Sequence, residues 1–234
     1  MAVNINTVYQ RVLAIANKEQ RGYITPQEFN LLANQAQLDI FEQYFYDLNQ
    51  FSRLPGNETK YADMVDIIEE KISVFEKFRQ DVTMASGGVG TLPTNNHKLG
   101  VVSFNNSGTY VEIEHINQNE LNTYINSPLT TPTSTRPIYI KTSETAIQVY
   151  PITITSAVTC NYIAKPTSVN WNYTNVLGEP LYNSTNSINF ELHESEETEL
   201  VLKVLELTGL TIKSPDLYQI GDKEDIEDIQ QEKL

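Results

Sequence analysis

The chain has 234 residues, 30 acidic against 16 basic for a formal net charge of −14, with 40% apolar and only 20% charged residues. So large an excess of acids argues against wrapping nucleic acid, which takes Lys and Arg to neutralise phosphates, and against docking on an anionic membrane. The apolar share is enough for a core, no stretch approaches the ~20 apolar residues of a membrane span, and the lone Cys160 excludes an intrachain disulfide. The segment Met1 to Asn6 has no basic run followed by an apolar one. The expectation is therefore a soluble chain without a secretion leader, made in a reducing cytosol.

Charge and composition divide the chain into three regions: 1–81 with 12 acids and 8 bases, 82–190 with 5 and 4, and 191–234 with 13 and 4. The flanks are rich in helix formers, and the middle is rich in Thr, Asn and Ser, which favour strands and turns. The expected fold is α+β. It comprises an N-terminal helical bundle with a long central helix, an antiparallel sheet or small sandwich in the middle, and a C-terminal acidic helix with an extended tail.

Val8, Val12, Ile15 and Ala16 predict a first helix over 5–19. Thr25-Pro26-Gln27-Glu28 is a start signal: Thr25 caps, Pro26 suits the first helical position, and Glu28 closes a capping box. The helix that follows should run to Phe51, at roughly 1.5 Å per residue. Its apolar set includes Phe29, Leu32, Ala33, Ala36, Ile40, Tyr44 and Leu48, and Phe41 and Phe45 widen the stripe beyond what one packing partner needs. Phe41 and Phe45 thus read either as core or as contacts with a second subunit. Pro55-Gly56 marks a turn, and Asn57 would cap a third helix carrying Tyr61, Met64, Ile68, Ile72 and Phe75.

Gly87-Gly88-Val89-Gly90 has no following Lys-Ser or Lys-Thr, so it reads as a joint between helical and β regions rather than a phosphate loop. Val101–Phe104 and Tyr110–Glu114 predict a hairpin, with Glu112 and Glu114 on one polar face. Two carboxylates on a face serve acid–base work or a cation, or simply face water. Asn117 to Glu120 resembles a capping box for a short helix. Residues 137–140, 146–150 and 158–162 alternate as strands. Trp171, the only tryptophan, reads as a cover for the sheet edge or an interface anchor. In the last region Leu200, Val201, Val204 and Leu205 give a helix an apolar face. Glu194, Glu196, Glu197 and Glu199 crowd its first turns, and Gly209 is placed as its C-cap. Beyond Gly221 the chain is acidic, with Ile226, Ile229 and Leu234 as isolated apolar residues. They fit a solvated tail or an arm that orders on a neighbour.

Candidates for chemistry are few. His97, His115 and His193 share no metal-ligand spacing, and Cys160 sits mid-strand without a neighbouring base. No catalytic residue, cofactor or metal site is expected, and the chain does not read as an enzyme. A glycan hydrolase would need a carboxylate pair, for which only Glu112 and Glu114 offer a local candidate.

The run Asn17–Asn30, leading into a long aromatic-rich helix, resembles the N-terminal region of tailed-phage virion proteins. The likeness is to the neck ring, or head–tail connector (adaptor), proteins of crAss-like podoviruses. Arg136-Pro137-Ile138-Tyr139, Val149-Tyr150-Pro151 and Tyr162-Ile163-Ala164-Lys165-Pro166 look like the β portion of those proteins. Phe190-Glu191-Leu192, followed by an acidic helix ending at Leu207-Thr208-Gly209, completes the pattern. The resemblance implies a structural role in a homo-oligomeric ring, usually twelvefold, that connects the portal at the capsid vertex to the tail. Its partners would be the portal and other neck and tail rings, and DNA would pass through the channel without specific binding. The place implied is the virion neck or tail, assembled in the cytoplasm of a bacterial host, with no membrane contact. The rivals are another tail component, a tube or hub subunit, and a carbohydrate-binding virion module suggested by Thr, Asn and 13 tyrosines. A tube subunit should carry little helix before its first strand, unlike this chain. Cyclic rings need two different sticky faces per subunit. The candidate interface residues are Phe41, Phe45, Trp171, Ile226, Ile229 and Leu234.

Overall fold

The structure, a computed structural model, describes residues 3–18, 24–52 and 64–211. In chain order it begins with helices α1 (Ile5–Lys18), α2 (Pro26–Phe51) and α3 (Met64–Ser73). Strands β1 (Glu76–Asp81), β2 (Thr83–Met84), β3 (Val89–Thr91), β4 (Asn96–Asn106) and β5 (Thr109–His115) follow. After a short helix α4 (Leu121–Asn126) come β6 (Ile138–Lys141), β7 (Ala146–Tyr150) and β8 (Val158–Ala164). A hairpin of β9 (Tyr173–Val176) and β10 (Glu179–Tyr182) precedes α5 (Glu197–Thr211). The fold is α+β, as composition and periodicity indicated.

The chain divides into two compact units. One is built from the residues up to Val74 together with those from Pro166 on, and the other from Phe75–Lys165. The limits thus fall at 74/75 and 165/166 rather than at 81/82 and 190/191. The first limit follows from β1, a strand that pairs antiparallel with β8 (Glu76 opposite Ile163), and the second from residues 167–171, which bond side chains of α2.

In the helical unit, α1 is capped by Asn4, whose Oδ1 accepts from the Asn6 and Thr7 N–H groups at 2.8 and 3.2 Å. The start of α2 forms the expected capping box: Glu28 N–H donates to Thr25 Oγ1 (3.3 Å) and Thr25 N–H donates to Glu28 Oε2 (3.0 Å). Each cap satisfies donors that a helix start otherwise leaves open, worth about 1 kcal/mol. The expected Pro55-Gly56 turn, Asn57 cap and Tyr61 lie outside the described residues. Phe29, Ala33, Ile40, Ile68, Ile72, Phe190, Leu192, Leu200 and Val204 are buried. Burying a Phe or Leu of this kind contributes roughly 2–3 kcal/mol. A 3-10 turn over Glu194–Glu196 leads into α5, with Ser195 N–H donating to His193 Nδ1 at 3.3 Å. Gly209 does not cap α5, which continues through it to Thr211 with Gly209 buried.

The β unit holds one eight-stranded sheet in the order β1-β8-β4-β5-β6-β7-β3-β2. Every pair is antiparallel except β5–β6, where Glu114 lies opposite Ile138 in parallel register. A parallel pair needs a crossover. Residues 116–137, with α4 and the Pro/Thr/Ser loop, supply it. The β4–β5 hairpin is tighter than expected. Ser107 (φ 53°) and Gly108 (φ 97°) form the two-residue turn, the left-handed pair that matches strand twist. The main core gathers Val82, Val102, Ile113, Ile147, Val149, Val158 and Cys160. Ile138 and Ile140 point away from it into a second cluster with Ile116, Leu121 and Tyr124, so β6 is buried on both faces. The glycines at 87–90 are not a joint. Gly88 (φ 78°) is buried, and a Cβ there would sit 2.5 Å from the Val149 carbonyl oxygen, while Gly90 lies within β3.

Candidate functional site

Three of the six candidate interface residues, Phe41, Phe45 and Trp171, lie among the described residues of the helical unit. Trp171 is only 3% exposed. Its ring lies 4.3 Å from Tyr9, 5.8 Å from Tyr173 and 5.6 Å from Tyr182 by ring centroids, and its Nε1–H donates to Asn6 Oδ1 at 3.1 Å. It therefore ties α1 to the β9–β10 hairpin and is not exposed. Phe41 is buried in the same unit, with the half-buried Phe45 edge-on at 5.0 Å. The plain core reading accounts for Phe41 within one chain, and the burial of Trp171 inside its own unit is a third arrangement beside the two expected for it. Ile226, Ile229 and Leu234 lie outside the described residues.

Two features of α2 were not anticipated. The first is an amide ladder. Asn30, Asn34 and Gln37 recur at i, i+4 and i+7 and so share a helix face. Asn30 Oδ1 accepts from Trp171 N–H at 2.7 Å, and its Nδ2 donates to the Trp171 carbonyl at 3.2 Å. Asn34 bonds both backbone groups of Val169, at 2.8 and 3.0 Å. Gln37 donates to the Thr167 carbonyl (2.9 Å) and accepts from Glu191 N–H (3.1 Å). The extended segment 167–171 thus pairs with helix side chains as a strand pairs with its neighbour. Asn and Gln at helical spacing were the available signal, masked by their usual place on solvated faces.

The second feature lies opposite the buried face of α2. Leu31 (72% exposed), Leu38 (40%) and Tyr46 (68%) face outward within roughly 80° of arc, with the exposed Gln35 and Glu42 between them. The surplus apolar width of this helix is therefore carried by Leu31, Leu38 and Tyr46 rather than by Phe41.

The acids at the start of α5 are partly spent inside the unit. Glu196, almost fully buried, receives Lys71 of α3 at 2.9 Å and Ser195 Oγ at 2.8 Å. Burial alone would raise its carboxyl. The hydrogen bond with Glu199, the Lys71 charge and the bonds from Lys71 and Ser195 outweigh that and hold it below the usual range. Glu197 pairs with Arg11 of α1 at 2.8 Å. Two of the four acids thus link α5 to α3 and α1.

In the β unit, Glu112 and Glu114 are exposed on either side of buried Ile113, the solvated strand face. His115 stacks obliquely on Tyr139 at 5.1 Å, and Cys160 is buried, its thiol pushed up to about 11 by desolvation. Among the described residues no three His, Cys, Asp or Glu side chains gather as a metal site, and no helix is long and apolar enough to cross a membrane. No protein-family model and no curated protein matches the chain.

Proposed function

We propose that this chain is a structural virion protein of a tailed phage, forming a neck ring that connects the portal vertex to the tail and leaves a channel for the genome. The observation that carries this reading is the set of exposed apolar residues on the outward face of α2. A helix buried along one face keeps Leu31, Leu38 and Tyr46 on the other, which suits contact with a second copy. The order of sequence features shared with neck ring proteins supplies the class. Charge adds support: the helical unit holds 24 acids against 10 bases, whereas the β unit holds six of each. An acidic wall repels phosphates and lets DNA slide past, so part of that excess lines or rims the channel in this reading. The reading calls for no catalytic group.

Electron microscopy of the purified protein, alone and with portal protein, tests it. Closed rings are expected. A monomer in both preparations at micromolar concentration would overturn the reading. Changing Leu31 and Tyr46 together to Ser should abolish the rings while moving monomer stability by no more than about 0.5 kcal/mol.

A further inference from the structure

The outer part of the β unit contains a groove of about 330 Å³ that none of the roles above uses. Its origin is a doubled irregularity. On both sides of β8 the register breaks at the same level, between Lys77 and Gln80 in β1 and between Leu99 and Val102 in β4. Two residues on each flank, Phe78-Arg79 and Gly100-Val101, therefore stand against the single residue Asn161. Bulges remove ladder bonds and re-aim side chains, and here two of them part the strands around one position.

The local chemistry keeps the groove open. Asn161 Oδ1 accepts from the Arg79 N–H at 2.9 Å, which holds Arg79 at φ 50°, a conformation unusual outside glycine. A Cβ at Gly100 would sit 3.1 Å from the Asn161 carbonyl oxygen, so a side chain there would crowd β8. Phe78 is left 68% exposed, and the Arg79 guanidinium lies 4.0 Å from the Tyr110 ring centroid. Two of the six bases of the β unit, Lys77 and Lys98, line the groove, and Glu76 is the one acid lining it. Neither Lys77 nor Lys98 has an ion-pair partner among the described residues. An apolar floor with a basic rim fits an acidic peptide carrying spaced aliphatic side chains.

This chain contains such a peptide. Residues 222–234 hold six acids, two lysines and the aliphatics Ile226, Ile229 and Leu234. The 23 residues from 212 to 234 can span up to roughly 75 Å when extended, enough to reach another subunit. We infer that the β1–β8–β4 groove receives the acidic segment 222–234 of a second copy. The inference rests on the ring reading. Arm into groove is a head-to-tail contact, the kind that closes a ring, and the segment is attracted to the basic rim while its own acidic unit repels it.

The test places a benzophenone amino acid at Phe78 of the full-length chain and mixes isotope-labelled with unlabelled copies before irradiation. Crosslinks joining the two isotopic forms, from position 78 to residues 222–234, are expected. Lys77→Glu with Lys98→Glu should lower their yield about tenfold, and Glu227→Lys with Asp228→Lys in the segment should restore it. Crosslinks confined to one copy, landing on other segments, or indifferent to the lysine changes would overturn the inference. So would displacement of the crosslink by a short oligonucleotide that binds the groove more tightly. Rings that persist without residues 222–234 would sink the arm and leave the ring reading standing. Arm crosslinks in a preparation that forms no rings would do the reverse.

Discussion

In the helical unit, extended backbone finds its partners on helix side chains: Asn30, Asn34 and Gln37 hold residues 167–171, and ion pairs reach from α5 to α3 and α1. In the β unit the backbone pairs with itself through eight strands, and the ion pair of Lys165 with Glu144, at 3.9 Å, is exposed. The first unit relies on individual polar side chains. The second depends on register and on a few backbone positions. Each has its own spectroscopic handle, because the only tryptophan, Trp171, lies in the helical unit and the only cysteine, Cys160, in the β unit. Indole fluorescence and thiol accessibility in denaturant therefore report the two separately.

The largest effect should come from Lys71→Met, which strands the buried Glu196 carboxylate. We expect a loss of about 3–5 kcal/mol, read from Trp171 fluorescence in urea. Adding Glu196→Leu should recover most of it. Equal losses in the single and double variants would show that the pair itself is not what matters. The matched change in the β unit, Glu144→Gln, should cost less than about 0.5 kcal/mol.

The β unit is expected to fail at backbone positions instead. Gly88→Ala drives a Cβ against the Val149 carbonyl and should cost about 3 kcal/mol by Cys160 accessibility. Gly87→Ala shares a positive φ but meets nothing within 4 Å, so about 1 kcal/mol is expected. Similar losses at the two glycines would show that backbone conformation, not the close approach, sets the cost. Next in size is Asn34→Leu, which removes both side-chain bonds to Val169. A loss of about 2 kcal/mol on the Trp171 signal alone is expected.

The subtlest contrast is in pH. Glu196 is held below its ordinary range when folded, so its contribution is present above the unfolded carboxylate pKa and is lost as pH falls through the folded one. Cys160 is shifted the other way, from 9.0 to about 11, so its contribution is full below pH 9 and is lost as pH rises toward 11. Acid should weaken the helical unit first and alkali the β unit first. Cys160→Ala should remove the alkaline limb if the thiol is its source.

Much of this fold could be read locally. Thr25-Pro26-Gln27-Glu28 announces α2, whose end at Phe51 agrees with the pattern, and β6, β7 and β8 fall where alternation places them. What escaped depends on distant partners. Glu76–Asp81 has every residue exposed, so no apolar alternation marks it, and only β8, some 80 residues later, makes it a strand. Asn30, Asn34 and Gln37 look like a wet helix face until residues 167–171 arrive to use them. Phe41 and Trp171 drew attention as large apolar residues. Which side of a wide stripe is covered depends on helices that periodicity cannot position, and the outward residues proved to be Leu31, Leu38 and Tyr46.

The β unit begins and ends side by side, with Ala164 N–H donating to the Phe75 carbonyl at 2.9 Å. A ribosome therefore delivers α1, α2 and α3 first, then a segment whose two ends meet within itself, and only afterwards the 167–171 segment and α5 that complete the helical core. The inserted unit can close before the unit that hosts it, so the three leading helices wait with their Asn and Gln amides unpaired until the chain returns. Translation order thus makes the β unit a spacer in time, setting when the acidic helical unit is completed.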